Sequence, residues 1–231
     1  MMSSLFPGLL DARYLFWLLK GFGLTLQLSL ITIVLATLLG LLVAAAREQR
    51  WLAVPCVVYL SVMRNTPLLV QLFFWYFGAA SLVPEVWMVW LNTPKSLLGV
   101  PWPSFEWLAA LFGLTLYSAA FIAEEIRAGI RGVGRGQRAA AAALGLTGWQ
   151  AFRWVILPQA LRIARGPLFG QYMNVVKNSS LAMAIGLAEL SYASRQVETE
   201  TLKTFQAFGV ATLLYMFAVM LVQVAGRRRA A

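Results

Sequence analysis

Two cations stand inside otherwise apolar stretches of this chain. Arg64 lies in RNTPLLVQLFFWYFG and Lys177 in NVVKNSSLAMAIGL. Asn65 and Thr66 follow the first, Asn178 and Ser179 the second. A guanidinium or ammonium beside neutral amide and hydroxyl donors is a set that takes a carboxylate, through charge-assisted hydrogen bonds. Arg64 reads equally as a structural arginine, pinned to a neighbouring helix or snorkelling to one face. Serine and asparagine at such depth also commonly bond across helices.

Other chemistries are excluded by residue type. The chain has no His and one Cys, so neither a His/Cys zinc site nor a disulfide framework forms within it, and no metal site is expected. A Ser-His-Asp or Cys-His arrangement needs the missing imidazole. Cys56 sits in an apolar run and reads as a buried, inert thiol. No G-x-x-x-x-G-K-[ST] phosphate loop occurs. The apolar stretches hold no carboxylate pair, which makes a membrane enzyme the weakest reading.

The elements that position these residues are membrane spans. Of 231 residues, 60% are hydrophobic and 12% charged, with a mean hydropathy of +0.72. Soluble domains carry about 25% charged residues, so the surface is not an ordinary aqueous one. Apolar runs predict five spans, at residues 21–46, 52–78, 105–123, 168–190 and 204–225. The first is charge-free from Phe22 to Ala46, enough to cross a core of about 30 Å at 1.5 Å per residue. Pro67 predicts a kink in the second, with Asn65 and Thr66 placed to satisfy freed backbone groups. Gly166-Pro167 opens the fourth. Residues 1–20 form a separate segment with a turn at Pro7-Gly8, interfacial aromatics and no ordered signal-peptide pattern. Residues 79–104 read as an irregular loop with a short interfacial helix around 85–91, and residues 191–203 as a short polar turn.

Net charge is +10, and its distribution accounts for it without nucleic acid. Arg47, Arg50, Arg127, Arg131, Arg135, Arg138, Arg153, Arg162, Arg165 and Arg227 to Arg229 fall on one side of a five-span chain. Arg13, Lys20, Lys95, Arg195 and Lys203 fall on the other. The positive-inside rule then puts the 124–165 loop and the tail 226–231 in the cytoplasm and the N-terminus outside.

That loop reads EEIRAGIRGVGRGQRAAAAALGLTGWQAFRWVILP from Glu124 to Pro158. Gly132, Gly134 and Gly136 argue against helix at its start. From Gln137 the alanine run 139–143 favours a short helix, and Gly145 stops it. Thr147 starts a second helix that runs to Leu157, before Pro158. Glu124 and Glu125 end the preceding span and pair with loop arginines. Small side chains on the first helix allow another protein to approach closely, whereas Trp149, Phe152 and Trp154 equally suit a loop lying on the bilayer.

The motifs resemble those of the membrane subunits of bacterial ABC importers, in the polar amino acid permease family. Gly136-Gln137-Arg138-Ala139-Ala140-Ala141-Ala142-Ala143-Leu144-Gly145 is similar to that family's cytoplasmic EAA loop, and Ile156-Leu157-Pro158 to its close. Glu125 to Ile130, Arg64 to Leu68, Lys177 to Ala182 and Ile185 to Leu187 match as well. Ala139 departs from the family pattern, which usually has Glu there. Gly134 and Gly166 stand where prolines are common.

The resemblance implies an all-α integral membrane protein of the type I ABC importer permease fold, in the bacterial inner membrane among its lipids. Gly136, Gln137, Ala139, Ala140, Ala143, Leu144, Gly145 and Pro158 are then the surface that docks a cytoplasmic ABC ATPase dimer. ATP and Mg belong to that partner, with no cofactor on this chain. A second permease subunit, identical or homologous, and a periplasmic amino-acid-binding protein complete the assembly. Arg64, Asn65, Thr66, Lys177, Asn178 and Ser179 become the substrate pathway. Glutamate or aspartate is the first-choice substrate, with glutamine or a general polar amino acid as the alternative. A non-transporting scaffold that docks a cytoplasmic protein through the same loop is the reading from a different class.

Overall fold

The computed structural model describes residues 10–93, 96–97, 100–101 and 103–227. Helices dominate: α1 (Ala12–Ala46), α2 (Arg50–Asn65), α3 (Leu68–Phe73), α4 (Glu85–Asn92), α5 (Phe105–Gly132), α6 (Arg135–Ala143), α7 (Gly148–Gln150), α8 (Leu157–Asn178), α9 (Leu190–Thr201) and α10 (Thr204–Arg227). Between α4 and α5, β1 (Ser96–Leu97) and β2 (Val100–Pro101) pair antiparallel, Ser96 with Pro101 and Leu97 with Val100. This small hairpin is the one exception to an all-α chain among the described residues. The turn expected at Pro7-Gly8, Lys95 and the tail arginines Arg228 and Arg229 lie outside them.

Among the described residues three helices, α1, α5 and α10, are long and apolar enough to cross a membrane, or up to four spans if α2 and the bent segment Leu68–Leu82 count as one. Their apolar residues point outward. Leu30, Val34, Leu38 and Leu42 form an exposed stripe along α1, while Thr25, Ser29, Thr32 and Ala36 are buried. Leu213, Met216, Phe217, Met220, Leu221 and Val224 are exposed along α10, where Ala207, Ala211 and Ala218 are buried. Small or polar inside and large apolar outside is the pattern of helices solvated by hydrocarbon.

Several expected boundaries move. α1 begins at Ala12, so residues 12–20 are not a separate segment: Leu18 is fully buried and packs with Leu190, Val197 and Ala207. The second span is broken rather than kinked. α2 ends at Asn65 and α3 starts at Leu68, because Pro67 (φ −58°, ψ 134°) is extended. α5 runs past Glu124 to Gly132, since Glu124 pairs along its own helix with Arg127 at 3.3 Å and Arg131 at 3.6 Å. Glu124 therefore pairs with arginines as expected but ends no helix.

Residues 168–190 do not form one helix. α8 begins at Leu157, carries Pro167 in its interior, and gives way to a 3-10 turn, Ser179–Ile185. The expected polar turn at 191–203 is the twelve-residue helix α9, N-capped by Glu189, whose carboxylate accepts from the Tyr192 N–H at 3.0 Å. The helix expected around 85–91 is α4.

The chain forms two compact units. The first comprises Met1–Ile33, Thr66–Thr115 and Asn174–Leu221. Its core gathers Leu18, Leu190, Ala193, Val197, Ala207 and Ala211. Within it Glu189, fully buried, also accepts from the Thr25 hydroxyl (3.2 Å) and the Tyr215 hydroxyl (2.5 Å). These bonds satisfy a carboxylate that would otherwise be prohibitive inside the protein.

The second unit comprises Val34–Asn65, Leu116–Met173 and Val222–Ala231. Here α5 meets α8 at Gly129, whose missing side chain makes the approach possible. A Cβ there would sit 2.7 Å from the Ala160 carbonyl oxygen and 2.7 Å from the Ala164 Cβ. Gly129→Val should therefore destabilise the protein by about 1–3 kcal/mol, the range for overpacking. Gly170→Ala, inside α8 with nothing within 4 Å of its Cβ, should be neutral or slightly stabilising. Thermal loss of monodisperse purified protein measures both.

Candidate functional site

The 124–165 region is a helical hairpin, not a floppy loop. α6 starts at Gly134 as N-cap and ends in a Schellman motif: the Leu146 N–H donates to the Ala141 carbonyl at 3.1 Å and the Gly145 N–H to Ala142 at 2.9 Å. Gly145 has φ +75°, the left-handed conformation that glycine adopts without strain. Thr147 then caps α7 reciprocally. Its hydroxyl accepts from the Gln150 N–H (3.3 Å), and the Gln150 side chain accepts from the Thr147 N–H (2.8 Å).

The second helix does not stop before Pro158. A π-helical turn, Ala151–Ile156, leads from α7 into α8, and Pro158 occupies α8's first turn. The π-turn before it changes the spacing of the backbone ladder, and the Gln159 side-chain amide donates to the Val155 carbonyl at 2.9 Å. Ile156 and Ala160 anchor the hairpin on Val133, with Ile130 and Phe152 packed alongside. Ala141 alone is buried on α6.

Gly136, Gln137, Ala139, Ala140, Ala143, Leu144, Gly145 and Pro158 are all exposed, as a docking surface requires. Gln137 is also tied internally, accepting from Gln159 at 3.2 Å. Trp149 and Trp154 are exposed beside them.

The pathway candidates divide between the units. In the first, α3 packs against the 3-10 turn Ser179–Ile185, so the breaks after Thr66 and Asn178 come together. Irregular backbone at membrane depth persists where it is buried in protein or lines a polar cavity. The Thr66 carbonyl accepts from the Gln71 side chain at 3.1 Å. Lys177 is exposed and Asn178 half-buried. Ser179 is buried with its hydroxyl on the Val176 carbonyl at 2.8 Å, a bond within its own helix turn.

In the second unit, Arg64 and Asn65 line a cavity of about 360 Å³ with Arg47, Ser61, Phe121 and Glu124. The Arg64 guanidinium lies 5.5 Å from the Phe121 ring centroid, and Asn65 donates to Ser61 at 3.3 Å. Glu124 binds Arg47 from the end of α1 in addition to Arg127 and Arg131, and Arg127 reaches Glu48 at 3.5 Å. Sequence reading assigned Glu124 to loop pairing and did not place Arg47 or Ser61 at a site. Their separation of over 60 residues from Glu124 carries no local signal. Glu189 was missed for the same reason, since Thr25 is 164 residues away.

Broken helices, an outward apolar shell and an exposed capped hairpin define a polytopic membrane protein. The chain belongs to the family described as binding-protein-dependent transport system inner membrane component, which matches residues 36–230. It is an inner-membrane permease subunit of the ABC importer class and not itself an enzyme.

The chain is 34% identical over 209 residues to the glutamate/aspartate import permease protein GltJ of Escherichia coli (strain K12), covering 89% of this chain and 82% of that one. It is 36% identical over 203 residues to the probable glutamine ABC transporter permease protein GlnM of Bacillus subtilis (strain 168), covering 86% and 84%. The fold is similar to that in the crystal structure of an amino acid ABC transporter with histidines, with a TM-score of 0.78 at 28% identity over 94% of this chain and 95% of that one. The expected permease fold is thereby found.

The hairpin's geometry rests on Gly145. Gly145→Ala should cost about 1–2 kcal/mol for a left-handed L-residue and speed amide exchange over 135–150. Gly136→Ala, in open space with no positive φ, should not.

Proposed function

We propose that this chain is the transmembrane subunit of an ATP-driven importer that carries a polar amino acid, glutamate or aspartate as first choice, after delivery by a periplasmic binding protein. The observation that carries the substrate class is the cavity where Arg64 and Asn65 stand together. A cation beside an amide donor suits a carboxylate. The similarity to a glutamate/aspartate import permease supports the same choice. Similarity to a glutamine permease keeps glutamine, or polar amino acids generally, as the second reading.

A separate ATPase dimer docks on the exposed face of α6 and the Gly145 turn, and ATP and Mg reside there. Two permease subunits, identical or homologous, enclose the pathway. The hairpin and C-terminus face the cytoplasm, consistent with the clustering of arginines there. α8 and its 3-10 continuation supply the fifth crossing. Docking is by shape, because Ala139 offers no carboxylate and its neighbours are small. A scaffold with the same loop would not bring substrate-dependent ATP hydrolysis with it.

Uptake by the assembled importer should be competed by unlabelled glutamate and aspartate and not by arginine or histidine; the reverse pattern overturns the substrate assignment. Ala139→Glu should leave coupled ATP hydrolysis unchanged or raise it if the ATPase cleft keeps a basic partner. A fall in the ratio of uptake to hydrolysis would place Ala139 against a wall with no room for the longer side chain.

A further inference from the structure

The Arg64 cavity holds more than a cation. Glu124, on α5, is held by Arg47 and also faces the same space as Arg64, Asn65 and Ser61. The side chains of Arg47 and Glu124 are only 23% and 21% exposed. An ion pair so placed loses much of its hydration and needs partners for both members.

We infer that this cavity is a zwitterion site, in which the Arg47–Glu124 pair opens to take an amino acid: Glu124 receives the ammonium group, and Arg47 and Arg64 receive carboxylates. The inference rests on the proposed reading of Arg64 as a substrate contact and adds the groups that recognise the rest of the molecule.

Three observations carry it. The exchange conserves charge, since an internal carboxylate–guanidinium pair is replaced by two pairs of the same chemistry made with the ligand. No group is left buried and unpaired, which is the usual cost of opening such a pair. Arg127 and Arg131 hold the Glu124 carboxylate in place when Arg47 departs, because they bind it from one side of α5. The volume, about 360 Å³, falls in the range of small-ligand pockets.

Two cations against one carboxylate on the cavity wall further favour a ligand with one more carboxylate than ammonium groups. That is a dicarboxylic amino acid. A monocarboxylic one would engage Glu124 and one arginine and leave exposed Arg64 on the Phe121 ring, without the second ion pair a dicarboxylic ligand adds. Arg47 lies just past the end of α1, and Glu124 lies eleven positions before α6 begins at Arg135. Opening the pair therefore changes a tie on the helix that leads into the proposed ATPase-docking hairpin.

The test uses the purified complex of permease and ATPase in detergent, without binding protein, and labelled glutamate as the probe. Glutarate, which has both carboxylates and no ammonium group, is the competitor. Wild type should bind glutamate more tightly than glutarate. Glu124→Gln should weaken glutamate by about tenfold or more, the loss of one charge-assisted bond, and leave glutarate unweakened.

Because Glu124→Gln also strips a partner from three arginines, a second variant leaves that cluster alone. Ser61→Leu fills the cavity from α2 and should abolish binding of both compounds while the complex still elutes as one species. If Arg64→Gln weakens glutamate but neither Glu124→Gln nor Ser61→Leu does, the zwitterion site is overturned and the Arg64 reading survives. If Arg64→Gln has no effect on binding, both are overturned. Equal weakening of glutamate and glutarate by Glu124→Gln assigns Glu124 a structural role and overturns the inference.

Discussion

Helices in a bilayer gain little from burying apolar surface against each other, because lipid tails are as apolar as leucine. Association depends instead on backbones coming close enough for dispersion contacts and on polar groups with no better partner. In this chain that constraint is met by missing side chains. Gly129 admits the Ala160 carbonyl and the Ala164 methyl, and Gly40 admits Ile122 and the Ala119 carbonyl, where a Cβ would lie 2.8 Å from an Ile122 methyl. Gly21 meets Ala193 and the Glu189 carbonyl in the other unit in the same way. Each close approach then brings a polar group within reach of another. Glu189 meets Thr25 and Tyr215 beside Gly21, and Glu124 meets Arg47 on the α1 and α5 that Gly40 joins.

Prolines act differently at their three main positions, and hydrogen-bond supply explains why. Pro67 breaks its span because the residue before it is driven from helical geometry, and Gln71 takes up the carbonyl left over. Pro158 follows directly on the π-helical turn Ala151–Ile156 and does not end the helical run. Pro167 is carried inside α8. The broken segments are where polar backbone becomes available, and α3 and the 3-10 turn Ser179–Ile185 pack together. Function in such proteins concentrates where the regular ladder fails.

Much of the hairpin was legible from local chemistry. The alanine run, Gly145 as a stop and Thr147 as a cap are short-range signals, each a matter of backbone preference or a bond across three residues, and each is present in the structure. The glycines before Gln137 mark a real break at Val133-Gly134 between α5 and α6, but Gly132 and Gly136 are helical, because propensity counts only the local cost. Gly129 and Gly132 remain helical since α8 repays that cost by packing. The polar run after Glu189 also misled: a buried carboxylate cap from the tertiary fold turns an apparent turn into α9.

The amino-acid sequence by itself pointed to a membrane permease with a basic two-helix loop and cations inside two apolar stretches. Composition, charge asymmetry and motif order act along the chain and need no partner in space. Only the tertiary structure decided which groups share a cavity. Arg47, Ser61, Arg64 and Glu124 come from α2, α5 and the residue following α1. It likewise brought the Ser179 hydroxyl onto the Val176 carbonyl. The physical reason is that an ion pair or a cavity wall is set by distance between helices, and that distance is fixed by packing at small residues far apart in the chain.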